Sequence, residues 1–493
     1  MSPRRSPMQM QTHHVDMHAP LERIDEVTWE LPSCYRRDMR VPVRIFADEA
    51  LIESALHDRC LEQLVNVATL HGVVRHVLAM PDVHEGYGFP VGGVAATALP
   101  DGVISPGGIG FDVNCGVRLL VSTLRATDVA HALPAVMHEI SRSIPTGYGH
   151  GGRTALDDAE MDRVLAGGAQ YLVRERHAGI ADDLDHIESG GMLPGAEPAL
   201  VSERARTRGR DQLGTLGGGN HFLEVQRVAH VHDEALATRL GIAEGQVTVL
   251  IHTGSRGLGH QVCTDFVRRM DERSDALGIV LPDRQLACAP LSSPEGRDYL
   301  AAMAAAANFA FANRQTITHA VRAIFARMLH TLGDPTLRLV YDVAHNVAKI
   351  ERYPEGELCV HRKGATRALG PSSDDLAPAL RGIGQPVLIP GSMGTASLVM
   401  VGRDASAGLS FSSACHGAGR VMSRGAARRA IQGHVLRHQL EARGIVVKCP
   451  SSPELAEEAP LAYKDVDRVV DVVERAGIAT KVARLEPIGV LKG

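Results

Sequence analysis

Five short glycine-rich segments, spread between residues 111 and 420, each set a histidine or cysteine among small side chains. They are FDVNCGVR (111–118), GGGNHFLEV (217–225), IHTGSRGLGH (251–260), DVAHNVAK (342–349) and SSACHGAGR (412–420). The recurring grammar is an apolar strand with a Gly/Ser/Asn/His loop at its end. Glycine permits positive φ and close backbone approach to a ligand, and the chain holds 50 glycines. Strand ends are where α/β folds gather ligands. Soft metal ligands on such loops therefore point to one composite site that the fold assembles. The expected class is α/β, in a mixed α+β arrangement.

Length alone, at 493 residues, suggests about three domains. The motifs interleave along the whole chain, which reduces that expectation to one large unit over 21–493. A polar, Met- and His-rich stretch at 1–20 is expected to be a disordered tail. Residues 42–80 read as strand, helix, strand. VTVLIHTGS (247–255) and LRLVYDVAHN (337–346) read as strands that end in ligand-bearing loops. Residues 155–187 read as helices broken at Gly167 and Gly168. A long helix is expected over 295–332, capped by Ser293-Pro294 and closed by Gly333. Another is expected from about Ala418 to Arg443.

Net charge is −5 with histidines neutral, so a uniformly basic surface that coats nucleic acid is excluded. Aromatics make up 4%, which argues against an extended base-stacking platform. Eight scattered cysteines with no CxxC pair are not a disulfide framework and favour a reducing compartment. The N-terminus lacks the apolar core of a secretory signal, and no apolar run reaches the ~18 residues of a membrane span. A cytoplasmic location is the expectation.

Asp112 and Cys115 share one tight loop, and single histidines follow at 221, 252 and 345. Carboxylate, thiolate and imidazole together suit a first-row transition metal. Five candidate ligands exceed one tetrahedral site, so two metals sharing a thiolate is a natural reading. Taken singly, each histidine is more simply a polar residue with a hydrogen-bond partner. Asp82, in MPDVHEG, reads as a supporting residue or a turn former, and His84 as undecided.

In SACHGAGRVMSRGAARR, His416 is flanked by glycines ahead of an expected helix. Gly417 and Gly419 would let backbone N–H groups face an anion there. Arg420, Arg424 and Arg428 would share one helix face. His416 could be a base, a metal ligand or a covalent nucleophile. HRKGATR (361–367) and the pair Arg256 and His260 suit phosphate contacts. PGSMGTAS (390–397) is a Gly/Ser loop without the lysine of a P-loop, and GGIGFD lacks a dinucleotide fingerprint.

Together these segments resemble the RtcB family of RNA ligases, from about Leu31 to the C-terminal KG. MPDVHEGYGFPVGG, LGTLGGGNHFLEV, YDVAHN, HRKGATRA, QPVLIPGSMGTAS and PIGVLKG carry the likeness alongside the segments above. The resemblance implies sheets flanked by helices around a central metal and nucleotide cleft. It implies two Mn²⁺ ions, one on Asp112, Cys115 and His221, the other on Cys115, His252 and His345. It implies GTP as co-substrate and His416 as the residue that accepts GMP. Asn220, His221, Phe222, Leu223, Glu224, His345, Asn346, Pro390, Gly391, Ser392, Met393, Ser397, Gly417, Ala418, Gly419 and Lys492 match its guanylate-binding positions. Asp82, Arg256, Lys363, Arg420 and Arg424 match positions near RNA phosphate.

The implied activity joins RNA 2′,3′-cyclic-phosphate or 3′-phosphate ends to 5′-hydroxyl ends in tRNA splicing and RNA repair. An archease-like activator and a monomeric state come with the family. Two other readings stand beside it: a dinuclear phosphoesterase acting on RNA ends, and a non-catalytic protein that binds them. On residue chemistry alone, the ligands favour Zn²⁺ or Co²⁺ over Mn²⁺. Lys492, one residue from the terminus, would ordinarily be frayed and solvated.

Overall fold

A computed structural model describes residues 20–147, 151–152 and 155–493, so the expected tail at 1–20 lies, but for Pro20, outside them. Two large sheets organise the rest. The seven-stranded sheet runs Glu22–Arg23, Thr28–Leu31, Val43–Phe46, Val77–His84, Val91–Ala98, Gly356–Lys363, Asn346–Tyr353. Val43–Phe46 pairs parallel with Val77–His84, and helices Glu49–Leu56 and Cys60–Val67 make the crossover. This is the expected strand–helix–strand unit, because parallel neighbours need a long connection. Asp48 starts the crossover by accepting hydrogen bonds from the N–H groups of Ala50 and Leu51.

The eight-stranded sheet runs Leu337–Ala344, Gly116–Arg125, Gln246–Thr253, Phe222–Val231, Ala479–Lys492, Ser397–Gly402, Pro386–Ile389. Val446–Lys448 adds a parallel strand against Ala479–Lys492. The fold class is mixed α/β, as the strand-and-loop grammar implied. Among the described residues no helix is long and apolar enough to cross a membrane.

The long helix spans Pro294–Leu329, with Ser293 accepting from Gly296 N at its start. It ends four residues short of Gly333. Its middle is buried on every side, from Ala302 through Gln315. Alanines dominate the first part, and the remainder places polar side chains where loops pass. Asn114 Nδ2 donates to Ala307 O at 2.7 Å. Asn313 Nδ2 donates to the carbonyls of Thr215 and Gly254, and its Oδ1 accepts from Gly214 N. The glycine-rich loops therefore hang from one rigid helix. The helix Asp158–Arg174 packs beside it and breaks its own geometry at Gly168, as expected.

One expectation is corrected. No continuous helix runs from Ala418 to Arg443. Residues 416–423 form a loop, and two helices follow, Arg424–Ala430 and Gly433–Ala442. Two things stop the earlier start. The N–H groups of His416 and Gly417 are captured by the Asp82 carboxylate, and Gly419 sits at φ +75°. Ser423 then caps the first helix through Ala426 N, and Ile431 adopts an extended conformation that separates the two.

Candidate metal and nucleotide site

Neighbouring strands of the larger sheet carry the candidate ligands to one end. His252 lies opposite Val117 on one side and Phe222 on the other, and Gly116 lies opposite Ala344. Cys115, His221 and His345 sit one residue outside those paired positions. Register alone therefore brings three histidines and a thiol together. Cys115 Sγ lies 3.3 Å from His221 Nε2 and 3.4 Å from His252 Nε2. His252 Nε2 lies 3.3 Å from His345 Nε2, and His221 Nε2 lies 2.8 Å from an Asp112 oxygen. Two overlapping triads result, Asp112–Cys115–His221 and Cys115–His252–His345.

The donor chemistry fits cations. The Nδ1 atoms of His252 and His345 are buried with no partner, and their Nε2 atoms crowd against each other and the thiol. Burial holds both imidazoles far below the usual histidine range, so they are neutral, the form a metal ligand needs. Burial and then Asp112 push the Cys115 thiol well above its usual range. A cation would offset that cost, because a coordinated thiol ionises. His221 has two self-consistent tautomers. With Nδ1 accepting from Arg256 Nη1 at 2.8 Å, its Nε2–H faces Asp112. With Nδ1–H donating to Leu216 O at 3.0 Å, Nε2 presents a bare lone pair to a metal. The second is the one compatible with ligation.

Beneath the triads, Arg314 on the long helix donates from Nη1 to the carbonyls of Asn114 and Thr253. Those residues neighbour Cys115 and His252. Asp342 accepts from Arg314 at 3.0 Å and from Arg118 at 2.7 Å, all three fully buried. The buried ion cluster thus fixes the loops rather than serving as a site of its own.

His416 faces the cluster, with its ring centroid 4.8 Å from that of His345. Its Nδ1 donates to Asp82 Oδ2 at 2.7 Å. Asp82 is wholly buried. Burial raises its pKa, but His416 more than offsets this and holds the carboxyl below its usual range. The ionised carboxylate fixes the tautomer and leaves His416 Nε2 as the nitrogen available for chemistry. Gly419 lies so close to the Asp82 backbone that a Cβ would meet its carbonyl oxygen at 2.2 Å.

A cavity of about 270 Å³ lies in front of His416. Asn220, Phe222, Glu224, His252, His345, Asn346, Lys363, Pro390–Met393, His416–Arg420, Arg424 and Lys492 line it. Leu223 points into the apolar core instead, as strand alternation requires. Ser397 lies behind the wall, accepting from Gln226 Nε2, which also donates to Glu224. Burial raises the Glu224 carboxyl to about 8. Asn346 ties its walls together, donating to Asp112 O and accepting from Gly364 N.

Several cations are more constrained than phosphate contacts would suggest. Lys363 is buried and donates to the carbonyls of Tyr87 and Phe89, and burial lowers its ammonium to about 7. Arg420, Arg424 and Arg428 converge on Glu457 and Glu458 at 3.3 to 3.7 Å. Lys492 is not frayed. It ends the strand Ala479–Lys492, lies opposite Phe222, and donates to the carbonyls of Gly219 and His221.

Sequence reasoning missed Lys464 altogether. Its Nζ donates to Pro81 O and Val83 O, on either side of Asp82, and its N–H to Gly419 O. No local motif marks it, because its partners come from distant segments.

The geometry sets a buried cluster of candidate metal ligands beside a histidine whose Nδ1 is held by Asp82. Residues 63–493 match the family profile described as tRNA-splicing ligase RtcB. The tRNA-splicing ligase RtcB of Archaeoglobus fulgidus is 52% identical over 484 residues, covering 97% of this chain and 100% of the relative. That of Thermococcus kodakarensis is 50% identical over 479 residues, with 96% and 99% covered. The RNA-splicing ligase RtcB of Mycobacterium tuberculosis is 54% identical over 438 residues, covering 87% of this chain and 100% of the relative. The chain belongs to the RtcB family of tRNA-splicing ligases.

Proposed function

We propose that this protein joins RNA 3′-phosphate or 2′,3′-cyclic-phosphate ends to 5′-hydroxyl ends, using GTP and two Mn²⁺ ions, through a guanylate carried on His416. The observation that carries the reading is the Asp82–His416 hydrogen bond beside the two ligand triads. Asp112, Cys115 and His221 would hold one ion and Cys115, His252 and His345 the other. When bound, such ions neutralise charge on transferring phosphoryl groups and lower the pKa of water.

The residues' own work follows from their chemistry. Asp82 keeps the proton on His416 Nδ1, so Nε2 attacks the GTP α-phosphorus and pyrophosphate leaves. The imidazole then carries GMP through an N–P bond. A cyclic end is opened by water to a 3′-phosphate. An oxygen of that phosphate attacks the guanylate phosphorus, His416 departs, and RNA–ppG forms. The 5′-hydroxyl oxygen attacks the RNA 3′-phosphorus and GMP is released. Glu224, protonated near pH 7, offers the cavity a hydrogen-bond donor as well as an acceptor.

The test is incubation with α-labelled GTP and Mn²⁺, followed by joining of 3′-phosphate to 5′-hydroxyl RNA. Acid-labile label that His416→Ala abolishes is the expected result. Cyclic-phosphate opening without label would instead mark a phosphoesterase.

A further inference from the structure

Aromatic residues are scarce in this chain, yet three rings contact one another in a row that meets the cavity at Phe111. Tyr87 meets Phe111 edge-on with centroids 5.1 Å apart. Phe111 stacks on His260 at 4.8 Å, with planes 24° apart. His260 is exposed, and Tyr87 and Phe111 are partly so. Rings left partly open beside a cavity can take a further flat partner. Phe111 forms an edge of the cavity, while Tyr87 and His260 lie outside its lining.

Position gives the row its meaning. Phe111, the middle ring, directly precedes Asp112 of the first triad, so the row passes one residue from the candidate metal ligands. His260 lies near the start of the helix Arg256–Arg273, just past its first turn, and is the exposed end of the row. Arg208 reaches the residue beside it, donating to Gln261 Oε1 at 2.9 Å. Arg208 therefore brings positive charge close to the helix segment that carries His260. A single-stranded RNA end whose phosphate enters the cavity brings its adjoining base to this edge, where it can leave its own stack. Flat side chains offer such a base a replacement stack, regardless of its identity.

We propose that Tyr87, Phe111 and His260 form a stacking platform for the unpaired nucleobase next to the reacting RNA end. The proposal rests on the ligase reading above. It differs from an extended platform, which the composition argues against, because it holds one or two bases only. The base belongs to either the 3′-phosphate strand or the 5′-hydroxyl strand, and the experiment separates them.

In one arm, 2-aminopurine replaces the terminal base of a single-stranded 3′-phosphate RNA. In the other, it replaces the first base of a 5′-hydroxyl RNA. A distal dye reports binding to the full-length protein with Mn²⁺ by anisotropy. The expected result is quenching of 2-aminopurine in one arm on binding. His260→Ala should remove most of that quench and weaken binding about tenfold, and His260→Phe should restore both. Bound RNA with no quench in either arm overturns the platform and leaves the ligase reading intact. Parent-like quench in both His260→Ala and Phe111→Leu overturns it as well. A parent protein that neither binds RNA nor joins ends removes the ligase reading and the platform with it.

Discussion

Asp82 Oδ2 accepts a 2.7 Å hydrogen bond from His416 Nδ1 and also receives the backbone N–H groups of His416 and Gly417. One buried carboxylate therefore sets the side chain, the tautomer and the local backbone of the histidine. Asp82→Asn keeps the shape but presents an amide that can donate to Nδ1, which favours the wrong tautomer. Labelling of His416 by α-labelled GTP should fall about a hundredfold to ten-thousandfold. A rate within threefold of the parent would mean that Asp82 does not orient the nucleophile.

Metal binding should be visible without turnover. The triads bring bare imidazole nitrogens and a thiol into contact, and a ligand that binds only the folded state raises Tm. Dialysis against a chelator should lower Tm, and Mn²⁺, Zn²⁺ or Co²⁺ should restore it in a concentration-dependent way. His252→Ala and Cys115→Ala should blunt the response. A melting curve that ignores all three ions would argue against a metal site.

The candidate ligands stood out because each lies in, or at the strand end leading into, a segment of unusual composition. Asp112, Cys115, His221, His252 and His345 all sit where a strand meets glycine or asparagine, and sheet register did the rest. Lys492 was illegible because its burial depends on a strand that pairs with Phe222–Val231, far away in sequence. The arginines at 420, 424 and 428 were misread for a different reason. Spacing of four is the same whether residues share a helix face or converge from a loop and a helix on one acidic pair. The capture of His416 N–H by Asp82, which decides between them, lies 334 positions away.

Glu224 should leave a pH signature on stability. Its carboxyl titrates near 4.5 when exposed and at about 8 in the fold, where burial is the main cause. Between those values the native state holds a proton that the unfolded chain has lost, so stability falls as pH rises. The contribution of the protonated form is complete below about pH 4.5 and lost as pH passes through 8. Glu224→Gln removes this titration. Urea unfolding of the metal-free protein should show the parent losing stability from pH 5 to 8 relative to the variant. A constant difference across that range would show that Glu224 is ionised in the cavity.

Lys464 should act on His416 through Asp82. Its Nζ donates at 3.1 Å to Pro81 O and at 2.6 Å to Val83 O, so it grips the strand on both sides of the carboxylate. Its N–H holds Gly419 O at 2.9 Å, which ties the His416 loop to the same point. Lys464→Met keeps the length of the side chain and leaves two carbonyls without their donor, at a cost of about 1–3 kcal/mol for each unsatisfied group. Guanylylation should slow about tenfold, with the concentration dependence on GTP nearly unchanged, since Lys464 lies outside the cavity lining. The decisive comparison is the same substitution in an Asp82→Asn background. If Lys464 works by placing Asp82, the second change should add little, and the two effects should couple by about 0.5–3 kcal/mol. Equal slowing in both backgrounds would assign Lys464 a role independent of the carboxylate, and urea unfolding of each variant would show whether that role is stability alone.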